Sequence, residues 1–181
     1  MKKLIIIEGP DRTGKDTLID KLKTHYTTDN IIHFTGAKEP LNKCDNTIQQ
    51  MHKFTNSYLE IKNTNNNITI WNRSFIGQFV YGQIYQKNYQ IDWLYDIDEA
   101  LALLDIEIYL VLLRGDSEFL FHNDDGHSIS NSIVDIEQEQ EYFKWFYNCT
   151  KIQNKILVDV TTKTDYIDKN NIFKKVLNFI K

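Results

Sequence analysis

Hydrophobic positions along the chain fall into two kinds of run. Short, β-branched runs without a helical stripe occur five times: "KKLIIIE", "NIIHF", "ITIW", "IEIYLVLL" and "KILVDV". Each is bounded by polar or turn residues, which predicts five strands, the most apolar of them buried on both faces. Between them the apolar residues recur at three- and four-residue intervals, the period of a helix packed along one side. Leu18, Leu22 and Tyr26 make one such stripe, and Ile48, Met51, Phe54, Tyr58 and Ile61 make another within Leu41 to Lys62. "SFIGQFVYGQIY", "IDWLYDIDEALALLD", "IVDIEQEQEYFKWFYNCTKIQ" and "NNIFKKVLNFIK" read as further helices. "KNTNNN" is a polar loop, and the stretch over 121–131, after one helical turn, is a polar lid. The predicted order is β-α-β-α-β-α-α-β-lid-α-β-α. Alternation of this kind implies an α/β fold: a parallel sheet between two helical layers, an α/β/α sandwich with five strands. No repeat or linker divides residues 1–181, so a single domain is expected.

Composition narrows the function. The 181 residues carry a formal net charge of -4, against a basic surface built for nucleic acid. A local positive pocket for small anions needs no net positive charge. No apolar run approaches the roughly 20 residues of a membrane span, and the apolar run after "MKK" is too short for a signal peptide. Cys44 and Cys149 have no metal-like or CxxC neighbourhood, which fits reduced thiols in a cytoplasmic protein. The Asn-x-Ser/Thr sequons at Asn67, Asn72 and Asn148 then reflect only an Asn-rich composition. Of 21 basic residues only three are arginines, Arg12, Arg73 and Arg114. Arginine's planar fork suits bidentate contacts to phosphate, so each position invites a functional reading.

The candidate chemistry centres on "IIIEGPDRTGKDTL", residues 5–18. Gly9, Gly14 and Lys15 satisfy G-x-x-x-x-G-K, with a strand before and a helix after. A glycine turn opening a helix aims backbone N–H groups at one point, where the helix dipole favours an anion. Lys15 adds a charge that can bridge β- and γ-phosphates. The next position ordinarily carries a magnesium-binding hydroxyl, but here it is Asp16. A carboxylate can also hold Mg²⁺, directly or through water, although it places negative charge beside the phosphates. Thr17 cannot replace it, since one helical residue turns by about 100°. ATP binding is therefore expected to lean on Mg²⁺ more than usual. Gly9, Arg73 and Arg114 all follow strands, and ligands of parallel sheets bind beyond those strand ends.

The loop "EGPDRTGKDT" resembles that of the thymidylate kinases, E-G-x-D-x-x-G-K-[S/T]-T, in the form with an arginine in the loop and no basic lid. "FHNDDGHSIS", residues 121–130, has no Arg or Lys, in keeping with that form. "FTGAKEP" resembles the T-R-E-P segment with Lys38 for Arg, "NRSFIGQFVYG" the D-R-Y-x-x-S-x-x-A-Y segment, and "IEQEQEYFKWFYN" the E-x-x-x-F-x-x-x-Y helix. The resemblance implies a P-loop NTPase-type fold and ATP-dependent phosphorylation of a deoxynucleoside monophosphate, dTMP or a related pyrimidine. It implies that Gly9, Thr13, Gly14, Lys15, Asp16 and Thr17 hold the ATP phosphates, with Mg²⁺ at Asp16. Arg12 would neutralise the transferring group, Arg73 would clamp the acceptor phosphate and Asp11 would accept from its 3′-hydroxyl. Phe54 would stack on the base, Tyr58 would lie where an arginine reads the pyrimidine O4, and Tyr81 would exclude a 2′-hydroxyl. A homodimer is the family's usual state, and helices over 41–62 and 74–89 are candidates for its interface. Asn72 stands where the family has an aspartate.

Several features also have plainer readings. Phe54 and Tyr81 could be core residues, and Arg73 a structural ion-pair partner. Arg114 reads better as a cap or pair at a strand end than as a base contact. "HNDDGH" reads as a solvated lid, and "EQEQE", residues 137–141, as a solvated helix face. "TKTD", residues 162–165, resembles a guanine-reading motif, but no D-x-x-G switch follows the third strand. Two other functions stay open: a deoxynucleoside kinase, with Glu8 as a base, and a non-catalytic nucleotide-binding homologue, motivated by Asp16 and Asn72.

Overall fold

In the computed structural model, residues 2–34, 43–85, 90–123 and 128–181 are described, with the side chains of 43–47 excepted. The strands are β1 (Lys3–Glu8), β2 (Ile31–His33), β3 (Ile68–Asn72), β4 (Glu107–Arg114) and β5 (Asn154–Asp159). They form one sheet in the order β2-β3-β1-β4-β5, and every pairing is parallel. The helices are α1 (Lys15–Tyr26), α2 (Lys43–Asn63), α3 (Phe75–Tyr85), α4 (Asp92–Ala102), α5 (Ser117–His122), α6 (Ile133–Cys149) and α7 (Lys169–Ile180). The five strands and the helices thus lie where the hydrophobic pattern puts them. The helical turn after β4 becomes α5, whose first turn is capped by Asp116 accepting from Phe119 N.

Side-chain alternation along the strands explains the two cores. In β1, Leu4 and Ile6 point to one face and Ile5 and Ile7 to the other, all fully buried. In β4, Ile108, Leu110 and Leu112 alternate with Tyr109, Val111 and Leu113 in the same way. One face packs under α2, α3, α4 and α6 around Trp71, Phe75, Phe143 and Phe146. The other packs under α1 and α7 around Leu18, Leu22, Val176 and Ile180. Each such aliphatic side chain contributes about 1.5–3 kcal/mol, so the central strands are rigid supports for whatever follows their C-terminal ends. Among the described residues no helix is long and apolar enough to cross a membrane.

Two patterns come out differently from the sequence reading. On α2, Phe54 and Ile61 are buried, but Ile48 and Met51 are 48% and 40% exposed. The buried stripe instead runs through Gln50, Phe54, Ser57 and Ile61. Ser57 meets the core because its hydroxyl donates back to Lys53 O at 2.9 Å. Two polar residues on the inner face make that stripe invisible to a hydrophobic count. On α6, residues 137–141 are not wholly solvated. Glu139 is 0% exposed, in step with buried Ile136, Phe143 and Phe146 on the inner face.

Candidate active site

The segment from Glu8 to Lys15 leaves the end of the central strand and closes into a tight loop before α1. Gly9 has φ +143°, and a Cβ there would stand 2.3 Å from the Leu113 carbonyl oxygen, so no larger residue fits. Gly14 caps α1 with φ 74°. Arg12 also lies in the left-handed region, at φ 68°, and so does Arg73 at φ 66°. Such conformations cost non-glycine residues about 1–3 kcal/mol and cluster at functional sites.

Behind the loop, Glu8 acts as a brace. It is 1% exposed, with Oε1 accepting from Ser74 Oγ at 2.8 Å and Gly77 N at 3.0 Å, and Oε2 accepting from Gly9 N at 3.3 Å. Burial raises its pKa, and the hydrogen bonds and nearby Arg73 and Lys15 hold that rise back. Both oxygens are committed to joining β1 to the start of α3, and Glu8 does not line the cavity. It is no candidate for a catalytic base.

In front of the loop lies a cavity of about 780 Å³. Asp11, Arg12, Thr13, Gly14, Lys15, Asp16 and Thr17 line it from one side, His33, Asn72 and Arg73 from the ends of β2 and β3, and Tyr166 and Lys169 from beyond β5. Lys15 Nζ donates to Gly9 O at 2.9 Å and Pro10 O at 2.6 Å, with Asp11 at 3.8 Å. Burial first, then Arg73, lowers its pKa to about 8. A polyphosphate beside this ammonium stabilises its charged form and raises that pKa. Above about pH 8, ATP binding is therefore expected to take up a proton. Calorimetry in buffers of different ionisation enthalpy should show it, and the effect should vanish well below that pH and in Lys15→Met.

Arg73 donates from Nη2 to Asp11 Oδ1 in an ion pair. Burial alone would lower the guanidinium's pKa, but Asp11, with smaller help from Tyr81 and Glu8, raises it overall. Arg12 points toward the lid, with Nη1 donating to Leu120 O at 2.7 Å in the last turn of α5. Its carbonyl accepts from Tyr166 OH at 3.3 Å. Arg114 pairs with Asp159 at 2.5 Å, as its position at a strand end implied.

Asp16 and Asn72 meet across the cavity floor: Asn72 Nδ2 donates to Asp16 Oδ1 at 2.6 Å. Asn72 is only 4% exposed, and its Oδ1 has no hydrogen-bond partner among the described residues. Asp16 is exposed to the cavity. A carboxylate beside an unpartnered amide oxygen is an oxygen donor set that fits a hard divalent ion. Among the described residues there is no group of three His, Cys, Asp or Glu for a protein-only metal site. An ion here would complete its shell with phosphate oxygens and water, as Mg²⁺ does in phosphate sites.

The remaining sequence candidates lie away from this cavity's lining. Phe54 is 0% exposed, stacked on Phe34 with centroids 4.4 Å apart and edge-on to Phe75. Phe54→Ala is expected to cost about 3–5 kcal/mol of stability, read as a lower denaturant midpoint, whereas Phe54→Leu should cost far less. Tyr58 is half-buried against the same core. Tyr81 is half-buried beside Tyr85, and its hydroxyl has no hydrogen-bond partner among the described residues. Lys38 lies outside the described residues, as does part of the lid. The lid's return limb is anchored: Ser130 Oγ donates to Glu139 Oε1 at 2.7 Å, and Tyr85 OH donates to the same oxygen at 2.6 Å. Burial raises the Glu139 pKa. Sequence reasoning missed Glu139 and also His33, which ends β2 opposite Asn72 in the β2–β3 register. Burial lowers the His33 pKa, against the pull of Asp16.

No family model matches the chain, and no curated protein does. Among solved structures, the Candida albicans thymidylate kinase superposes with a TM-score of 0.68 at 18% identity, over 99% of this chain and 91% of that one. The YorR protein of Bacillus subtilis, in complex with phosphorylated GDP, gives 0.66 at 21% identity, over 98% and 95%. The deoxyadenosine kinase of M. mycoides with bound dATP gives 0.65 at 13% identity, over 98% of each chain. The chain has the fold of the P-loop nucleotide kinases. The shared fold extends over nearly the whole chain, including residues 9–17, Arg73 and the connection after β4.

Proposed function

We propose that this kinase-fold protein transfers the γ-phosphoryl group of ATP to a deoxynucleoside monophosphate, dTMP or a related pyrimidine nucleotide. The observation that carries the reading is the placement of Arg73. It puts a second, always-charged guanidinium into the same cavity as Lys15, held by Asp11. Lys15 suits the donor phosphates, and Arg73, which meets the same Asp11 oxygen, suits a phosphate on an acceptor beside them.

The chemistry then needs little beyond alignment and charge neutralisation. An acceptor phosphate oxygen attacks the γ-phosphorus, the bond from that phosphorus to the β–γ bridging oxygen breaks, and ADP leaves. A phosphate monoester has its second pKa near about 6, so it is already a nucleophile at neutral pH and no general base is required. This agrees with Glu8 being committed to structure. The loop amides and Lys15 hold the donor, and Thr13, Gly14 and Thr17 shape the loop around it. Arg12 neutralises the transferring group after leaving or sharing its α5 carbonyls. Asp11 both fixes Arg73 and accepts from the acceptor's 3′-hydroxyl. Asp16, oriented by Asn72, holds the magnesium ion, which when bound supplies charge neutralisation at the phosphate oxygens. Tyr58 and Tyr81, both partly buried, flank the acceptor side in this reading, with Tyr81 disfavouring a ribose, whereas Phe54 is enclosed in the core and takes no base. The exposed Ile48, Met51 and Leu59 of α2 supply a homodimer contact.

Turnover with ATP and Mg²⁺ across dTMP, dUMP, UMP and thymidine tests this reading. Phosphorylation of dTMP with little of UMP supports it. Phosphorylation of thymidine but not dTMP would make the protein a nucleoside kinase, and binding without turnover would make it a non-catalytic homologue.

A further inference from the structure

His33 has no part in the reaction outlined above, yet it lines the same cavity. It is the last residue of β2 and is in register with Asn72 of β3. Registered residues on adjacent parallel strands lie about 4.8 Å apart and project to the same side of the sheet. His33 and Asn72 therefore leave the sheet side by side, and both line the cavity. Asn72 already reaches Asp16, at 2.6 Å. Its Oδ1, on a residue only 4% exposed, has no hydrogen-bond partner among the described residues. A carboxylate, an amide and an imidazole thus line the same cavity, two of them in contact and the third in register with one of those two.

We propose that His33 is a third ligand of the divalent-cation site, giving it one nitrogen beside the oxygens of Asp16 and Asn72. A site with only oxygen ligands suits Mg²⁺, whereas imidazole adds affinity for first-row transition ions. The cation site accordingly binds Mn²⁺ or Co²⁺ with the nucleotide more tightly, relative to Mg²⁺, than the oxygens alone would allow. The carboxylate at position 16 and the histidine at position 33 act together, because both face the one cation.

The inference rests on the cation site of the proposed function, and its test reads the metal rather than turnover. The full-length protein is loaded with Mn²⁺ and ADP and studied by pulsed electron paramagnetic resonance. The expected result is modulation from a directly bound imidazole ¹⁴N, which changes on ¹⁵N-histidine labelling and disappears in His33→Gln. In that variant Mn²⁺·ADP affinity should fall by at least about tenfold, a loss of the size seen when a metal site's supporting groups are removed. Mg²⁺·ADP affinity should change much less. Manganese bound with ADP but showing no nitrogen coupling would overturn the role of His33 and leave the cation site intact. Coupling that persists in His33→Gln would assign the nitrogen to another histidine and overturn it equally. Failure of wild-type protein to bind Mn²⁺·ADP while binding ADP alone would remove the cation site itself.

Discussion

Arg12→Gly is expected to reduce turnover by about 10³–10⁵-fold, the range an arginine that stabilises a transferring phosphoryl group supplies in other enzymes. Glycine is the informative replacement because Arg12 has φ 68°. Glycine adopts that backbone without steric cost, so the loop keeps its shape. The variant does lose the bond from Nη1 to Leu120 O. Its net effect on stability should be small, since relief of backbone strain offsets a partly exposed hydrogen bond. Activity lost with a nearly unchanged unfolding midpoint would assign Arg12 to the chemistry. Activity and stability lost together would assign it to joining the loop to α5. Arg12→Lys keeps a charge but not the planar fork, and should recover only part of the rate.

Arg73→Ala should act on the acceptor rather than on ATP. Removing one partner of a hydrogen-bonded charge pair costs about 2–5 kcal/mol when the other is left unpaired. In the proposed reaction the acceptor phosphate is that other group. A fall in kcat/KM for the acceptor of roughly 30-fold or more follows from the low end of that range. The KM for ATP should change much less, because Lys15 and the loop amides remain. Steady-state kinetics with each substrate varied in turn checks this. An equal loss for both substrates would mean that Arg73 supports the loop as a whole through Asp11. The Asp11→Asn variant sharpens the result: it frees Arg73 while keeping the side chain's size, and should weaken the acceptor hydroxyl contact first.

How much of this could be read before the structure depended on where the physical signal was kept. The strands were legible because β1 and β4 are buried on both faces, which leaves runs of consecutive aliphatic residues. The phosphate loop was legible because its glycines answer to backbone needs, most sharply at Gly9, where Leu113 O leaves no room for a side chain. The inner face of α2 was misjudged because Gln50 and Ser57 lie in it, and buried polar residues carry no hydrophobic mark; Ser57 is accommodated by bonding back along its own helix. Glu139 was hidden in the same way inside "EQEQE", although its spacing from Ile136 and Phe143 was the available clue. The Asp16–Asn72 contact joins positions 56 apart, and only the sheet order that sets β3 beside β1 brings them together. His33 gave no signal alone, because its meaning comes from its register with Asn72.

The central claim is that the cavity in front of residues 9–17 joins a donor phosphate to an acceptor phosphate. Its most direct measurement is identification of the product. ATP, Mg²⁺, dTMP and the protein are incubated, and phosphorus NMR follows the acceptor. The account predicts loss of the monophosphate resonance and growth of a coupled pair from dTDP, matched one for one by ADP. ATP consumed with inorganic phosphate as the only product, or bound nucleotides with no new resonance, would contradict it.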